Sequence, residues 1–85
     1  MFYLHILRSL KDKKLYVGTT NNPKRRLLNY NSGKVKSTKS RRPLIIVWLK
    51  FYKTLSEARR KEWELKYTPW GGKLKKKLAS INSAT

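Results

Sequence analysis

The chain has no cysteine, and only four of its 85 residues are acidic. Without cysteine there is neither a disulfide framework nor a thiolate zinc site, which is compatible with a reducing compartment. Apolar runs are short, and none approaches the roughly 18 residues of a membrane-spanning helix. The opening Met1–Leu7 is apolar, but it is too short for a secretion signal and shows no cleavage site. A cytoplasmic location with no membrane partner is therefore expected. Glycine and proline are also scarce, at four and three. No linker or internal repeat interrupts the chain, and a single domain over residues 1–85 is expected.

What the chain has in excess is positive charge. Twenty-two Lys and Arg face only Asp12, Glu57, Glu62 and Glu64, a formal net charge of +18. A compact chain of this charge repels itself unless a polyanion neutralises it. Phosphate backbones do so with sequence-independent, salt-sensitive affinity. DNA is the expected partner, with RNA as the second polyanion the same charge would accept. A ribosomal-type RNA binder and a membrane-surface binder are the blander alternatives. Three Trp, five Tyr and two Phe supply large core side chains, which argues against disorder.

Residues 2–7 alternate between two apolar faces, Phe2, Leu4 and Ile6 against Tyr3, His5 and Leu7. With the charged turn 11–14 and the run Leu15–Gly18 they predict an antiparallel hairpin. Asn21 or Asn22 as cap and Pro23 in the first turn predict a helix ending near Gly33. Residues 34–43 read as a basic loop, and Leu44–Tyr52 as a central strand. Leu55–Lys66 reads as a helix capped by Ser56. After the break at Thr68–Gly72, Leu74, Leu78 and Ile81 mark a third helix from Lys73. The sum is an α+β domain with a small, mainly antiparallel sheet flanked by helices.

Glu62 is out of pattern, because Leu55, Ala58, Glu62 and Leu65 form one stripe of the second helix. A carboxylate turned inward must meet a cation. That cation is either an arginine of this chain or a divalent metal with water and substrate phosphate in its shell. Tyr16 reads as a cross-strand packing residue or a functional hydroxyl at a strand end, two positions before Gly18. Arg26 shares a helix face with Tyr30, four residues on, although spacing alone does not separate it from Arg25. Trp70, beside two glycines, reads as closing the core or as stacking on an unpaired base.

Taken in order, Tyr3-Leu4-His5, Leu15-Tyr16-Val17-Gly18, Arg25-Arg26-Leu27, Asn31-Ser32-Gly33 and Glu57-Ala58 with Glu62 resemble the GIY-YIG nuclease domain. The resemblance runs from residue 2 to about residue 80 and is strongest to small stand-alone members. It implies a three-stranded antiparallel sheet flanked by helices and a metal-dependent endonuclease acting on branched, flap or damaged DNA. It further implies that Tyr16 and Gly18 belong to the second motif, and that Arg26, ten positions after Tyr16, is the catalytic arginine. Tyr30 takes a helix position held by His or Tyr, and Glu62 binds the single Mg²⁺ or Mn²⁺. The first-motif tyrosine falls at His5, a group that titrates near neutrality and can hydrogen-bond water or phosphate.

In that scheme Tyr16 positions or deprotonates the attacking water, its phenol made more acidic by cations such as Arg26. Arg26 clamps the phosphate, and Tyr30 or His5 relays a proton. Lys34, Lys36, Lys39, Arg41 and Arg42 in the loop, and Lys73, Lys75, Lys76 and Lys77 in the tail, are expected to grip the backbone. The chain is expected to be a monomer, with a protein partner for targeting. The alternative is a catalytically weak or inactive nucleic-acid-binding module that retains the fold.

Overall fold

A computed structural model describes the backbone of residues 1–83 and the side chains of residues 1–80. The side chain of Ile81, expected on the last helix stripe, lies outside the described residues. Three strands, β1 (Phe2–Ser9), β2 (Leu15–Thr20) and β3 (Leu44–Tyr52), accompany three helices, α1 (Pro23–Asn31), α2 (Leu55–Tyr67) and α3 (Gly71–Ser83). The sheet order is β2-β1-β3 with both pairings antiparallel.

β1 is thus the central strand, and the expectation that Leu44–Tyr52 would be central is overturned. Burial explains why: Leu4, His5, Ile6 and Leu7 are each at most 2% exposed, so β1 is covered on both faces. β3 instead leaves Ile45, Leu49 and Phe51 exposed, as an edge strand can. Its apolar run alone does not distinguish the two positions.

The alternation read in β1 divides the core as expected. Leu4 and Ile6 pack with Val17, Val47, Leu65 and Ala79 beneath α2 and α3. Leu7 packs with Tyr30 and Leu44 on the α1 face, bordered by Tyr16, Leu27 and Val35.

Local signals set the helix ends. Asn22 caps α1, its side chain accepting from Arg25 N at 3.1 Å, and Pro23 begins the helix. Gly33 follows the helix at φ 84°, where a side chain would be strained. The cap of α2 is Thr54, which accepts from Glu57 N at 3.2 Å, and not Ser56. α3 begins at Gly71, two residues before the expected start.

The basic loop is better anchored than its composition suggests. Ser9 is fully buried, and its hydroxyl donates to Arg41 O at 2.6 Å while accepting from the amides of Lys11 and Asp12. Asp12 in turn pairs with Arg41 Nε at 2.6 Å. Asn31 holds the other end, exchanging hydrogen bonds with Leu44 N and O at 2.7 and 2.9 Å. The loop is therefore fastened both to the hairpin turn and to the end of α1.

Candidate active site

β2 is an outer strand with α1 on one face of the sheet and α2 on the other. At its free edge, side chains from the two faces border one cavity of about 490 Å³. Val17, Gly18 and Thr19 of β2, Arg26 and Tyr30 of α1, and Arg59, Glu62 and Lys66 of α2 line it. The α2 contribution continues through Trp63 and Tyr67. Positions 59, 62, 63, 66 and 67 recur at helical spacing, so a single face of α2 forms this wall.

Glu62 is partly exposed at the cavity wall instead of buried on the Ala58–Leu65 stripe. Its carboxylate accepts from the Thr19 hydroxyl through Oε1 and pairs with Lys66 Nζ through Oε2 at 3.0 Å. The cation it meets within the chain is thus a lysine and not an arginine. Desolvation pushes its pKa up, but the Thr19 and Lys66 hydrogen bonds and the Lys66 charge outweigh it and hold the pKa below the usual carboxylate range.

Arg26 and Tyr30 stand together as their spacing predicted, with the guanidinium carbon 4.9 Å from the ring centroid. The contact restrains an otherwise exposed arginine at the cavity rim. Tyr30 also meets His5 edge-on, with centroids 6.3 Å apart.

His5 differs from expectation. It is 2% exposed, and neither ring nitrogen has a hydrogen-bond partner among the described residues. Burial, followed by the Arg26 charge, lowers its pKa to about 4, against a smaller opposing influence from Glu62. The imidazole is therefore neutral at pH 7 and does not titrate near neutrality. It stands behind Gly18, where a β-carbon would come within 2.9 Å of Nε2. A side chain at 18 would therefore have to push the His5 ring aside.

Tyr16 is not a wall of the same cavity. It borders an adjoining space of about 280 Å³ that shares Val17, Tyr30 and Lys66 with the first. Its hydroxyl donates to Asp12 Oδ2 at 3.4 Å. Burial, then the Asp12 carboxylate, raises the phenol pKa against the opposing pull of Arg41. The expectation of a phenol made more acidic by Arg26 is therefore overturned.

The presumed grip residues divide into two groups. Arg41 is held by Asp12, while Arg42 donates to Lys39 O at 2.8 Å and lies against Gly33. Lys34, Lys36, Lys39, Lys73, Lys76 and Lys77 are exposed. Lys75 borders the Tyr16 space, and with Lys76, Arg8, Lys13 and Lys14 it surrounds a further cavity.

Thr19, Arg59, Lys66, Trp63 and Tyr67 are the wall residues that sequence reasoning missed. The α2 members repeat around Glu62 at three- and four-residue spacings, a signal open to reading once Glu62 was singled out. Thr19 has no such signal, since its contact with Glu62 spans 43 positions.

Among the described residues no group of three or more His, Cys, Asp or Glu is arranged to hold a metal. One carboxylate bordered by cations that could share a phosphate still fits Mg²⁺ or Mn²⁺, which take few protein ligands and complete their shell with water and substrate oxygens. Binding there would require Lys66 to yield or share Oε2.

Residues 1–77 match the family model described as the GIY-YIG catalytic domain. A UPF0213 protein of Staphylococcus haemolyticus is 42% identical over 65 residues, covering 75% of this chain and 78% of the relative. One from Oceanobacillus iheyensis is 39% identical over 74 residues, covering 86% and 85%. The solution structure of a UPF0213 protein from Bacillus halodurans superposes with a TM-score of 0.57 at 34% identity, covering 95% of this chain and 85% of that one. Sequence order, sheet topology and these relatives agree, and the chain belongs to the GIY-YIG family.

Proposed function

We propose that the chain is a metal-dependent endonuclease that hydrolyses DNA phosphodiester bonds at the β2-edge cavity. The observation that carries this is the grouping of one carboxylate, Glu62, with Arg26, Arg59 and Lys66 around a space open to substrate. A lone acid amid cations suits a phosphate-bound divalent ion better than a purely structural ion pair.

Mg²⁺ or Mn²⁺ held at Glu62 would neutralise charge on the phosphate and leaving oxygen. Water attacks phosphorus and gives up a proton to solvent, one ester P–O bond breaks, and the departing alkoxide takes up a proton in turn. Arg26 clamps the phosphate with its planar fork, braced by the Tyr30 ring. Tyr16, its phenol pKa raised by burial, serves from the adjoining space as a hydroxyl that orients water or donates a proton once it exchanges Asp12 for substrate, and not as a phenolate base. Neutral His5 positions Gly18 and Tyr30 from behind.

Lys34, Lys36, Lys39, Lys73, Lys75 and Lys76 hold the backbone on either side. A monomer of 85 residues offers little surface for sequence readout, so flap, branched or damaged DNA recognised by shape, or delivered by a partner, suits it.

The Glu62–Lys66 pair favours a second reading, a nucleic-acid-binding module with its acid neutralised internally. Cleavage of single-stranded, duplex, flap and branched DNA with Mg²⁺ or Mn²⁺ decides between them. Glu62→Gln, Arg26→Ala and Tyr16→Phe should each lose cleavage by 100-fold or more, on the order of the loss of a charge-stabilising group, while retaining most binding. Wild-type protein that cuts nothing with either metal would leave the binding module standing.

A further inference from the structure

Three large aromatic side chains lie exposed on or just beyond α2: Trp63 at 58%, Tyr67 at 68% and Trp70 at 57%. Trp70 therefore does not close the core; its indole N–H donates to Glu64 Oε2 at 3.3 Å. Trp63 and Tyr67 lie one helical turn apart, with ring centroids 6.3 Å apart and planes at 49°. Both border the cavity that holds Glu62 and Arg26. On its other side Trp63 also borders a second space of about 480 Å³, shared with Trp70 and Tyr52. Exposed aromatics grouped in this way mark a contact surface.

We propose that the Trp63–Tyr67 ledge stacks unpaired nucleobases next to the phosphate held in the adjoining cavity. The substrate class is then DNA with unpaired nucleotides at the cleavage position, as in a single strand, a flap or a frayed end. The inference rests on the nuclease reading for the identity of the cavity.

Charge complementarity selects this occupant. Arg59, Arg60 and Lys66 interleave with the aromatics along α2. With a chain net charge of +18 around them, these cations call for a polyanionic occupant more than for an ordinary protein surface. A single strand offers what this surface complements, phosphates for the cations and free π-faces for the rings. In a duplex those faces are hidden in the stack, so the ledge discriminates paired from unpaired DNA without reading sequence.

Binding measured by fluorescence anisotropy in EDTA separates this from catalysis. The probes are a labelled single strand, a strand of equal length made of abasic units, and a blunt duplex. Wild-type protein should prefer the single strand over the abasic strand by about tenfold per engaged base. Trp63→Ala with Tyr67→Ala should reduce single-strand affinity to the abasic level and leave duplex affinity unchanged, whereas Trp63→Phe should retain most of the preference. Quenching of wild-type tryptophan fluorescence by the single strand, and not by the abasic strand, gives the same answer without any substitution.

Equal affinity for base-bearing and abasic strands overturns the inference. So does a halved sedimentation mass in the double variant, which would make the ledge a contact between copies. If the wild type cuts DNA but shows no stacking preference, only the ledge falls. If it shows the preference and cuts nothing, only the nuclease reading falls.

Discussion

Lowering the pH should destabilise this protein well above the range in which its carboxylates titrate, and His5 should be the cause. The folded chain holds His5 near pKa 4, against an ordinary value of 6.5. Because the folded-state value is depressed, the neutral imidazole contributes stability that is fully present above 6.5. Between 6.5 and 4 the unfolded chain binds a proton that the folded chain refuses, and stability falls with pH. Below 4 both states are protonated and this loss is complete. The whole window corresponds to about 3 kcal/mol, and the part from 6.5 to 5 to about 2 kcal/mol.

The groups facing His5 are Arg26 and Tyr30 of α1 and Glu62 and Lys66 of α2, of which only Glu62 favours the cation. Asp12, Glu62 and Glu64 have depressed pKa values. Their stabilising contributions are present above the ordinary carboxylate values and are lost as pH falls through the folded ones, so the upper window belongs to His5. Urea unfolding at pH 7.5, 6.5, 5.75 and 5 measures the slope. His5 is the only histidine, so its Cε1 proton resonance reports the folded pKa without assignment ambiguity. His5→Gln should flatten stability across 6.5 to 5, whatever its effect at neutral pH. A resonance titrating near 6.5, or wild-type stability independent of pH in that window, refutes the account.

Two adjacent glycines should respond oppositely to alanine. At Gly71 a β-carbon would come within 2.6 Å of Leu65 O and closer still to Glu64 O, both rigid backbone, so Gly71→Ala should cost about 2 kcal/mol or more in urea unfolding. At Gly72 nothing lies within 4 Å, and Gly72→Ala should add roughly 0.5–1 kcal/mol through helix propensity. Gly18→Ala should push His5 away from its 2.9 Å approach and destabilise the fold by about 1–3 kcal/mol. Chemical shifts of His5 and Tyr30 should move together in that variant. Apparent DNA affinity should fall steeply between 50 and 200 mM salt, and Lys36→Ala should reduce the slope by about one unit where Arg41→Ala should lower thermal stability instead.

The elements were legible because their signals are local. Alternation in β1, Asn22 and Pro23 before α1, and the Thr68–Gly72 break each act within a few residues. Strand position was not legible, because β3 is as apolar as β1 and differs only in what packs against it. The site was legible in part. Arg26 with Tyr30 is a helix-spacing fact, and Glu62 stood out as an acid among cations and apolar neighbours. The partners of Glu62 depend on the β2–α2 crossing and the direction of Tyr16 on the hairpin turn. Asp12 reads as an ordinary turn residue, yet it accepts from both Tyr16 and Arg41. This tertiary arrangement ties the Tyr16 hydroxyl to the turn and pairs Arg41, which stays partly exposed, with an acid.

The position of the cavity explains why so small a sheet can hold opposed charges in one place. Side chains on opposite faces of a sheet are normally insulated from each other by the sheet itself. Among the described residues no fourth strand lies beyond β2, so side chains of α1 and α2 meet around its edge. Gly18 has no side chain there, and His5 behind it experiences Arg26 from one face and Glu62 and Lys66 from the other. A bulkier residue at 18 would displace His5, while an added strand would separate Arg26 from Glu62. The open edge, usually an aggregation hazard, is here flanked by Arg26, Arg59 and Lys66, charges that disfavour pairing with another strand. Under the proposed function, the same three charges that guard the edge would also draw in the phosphate.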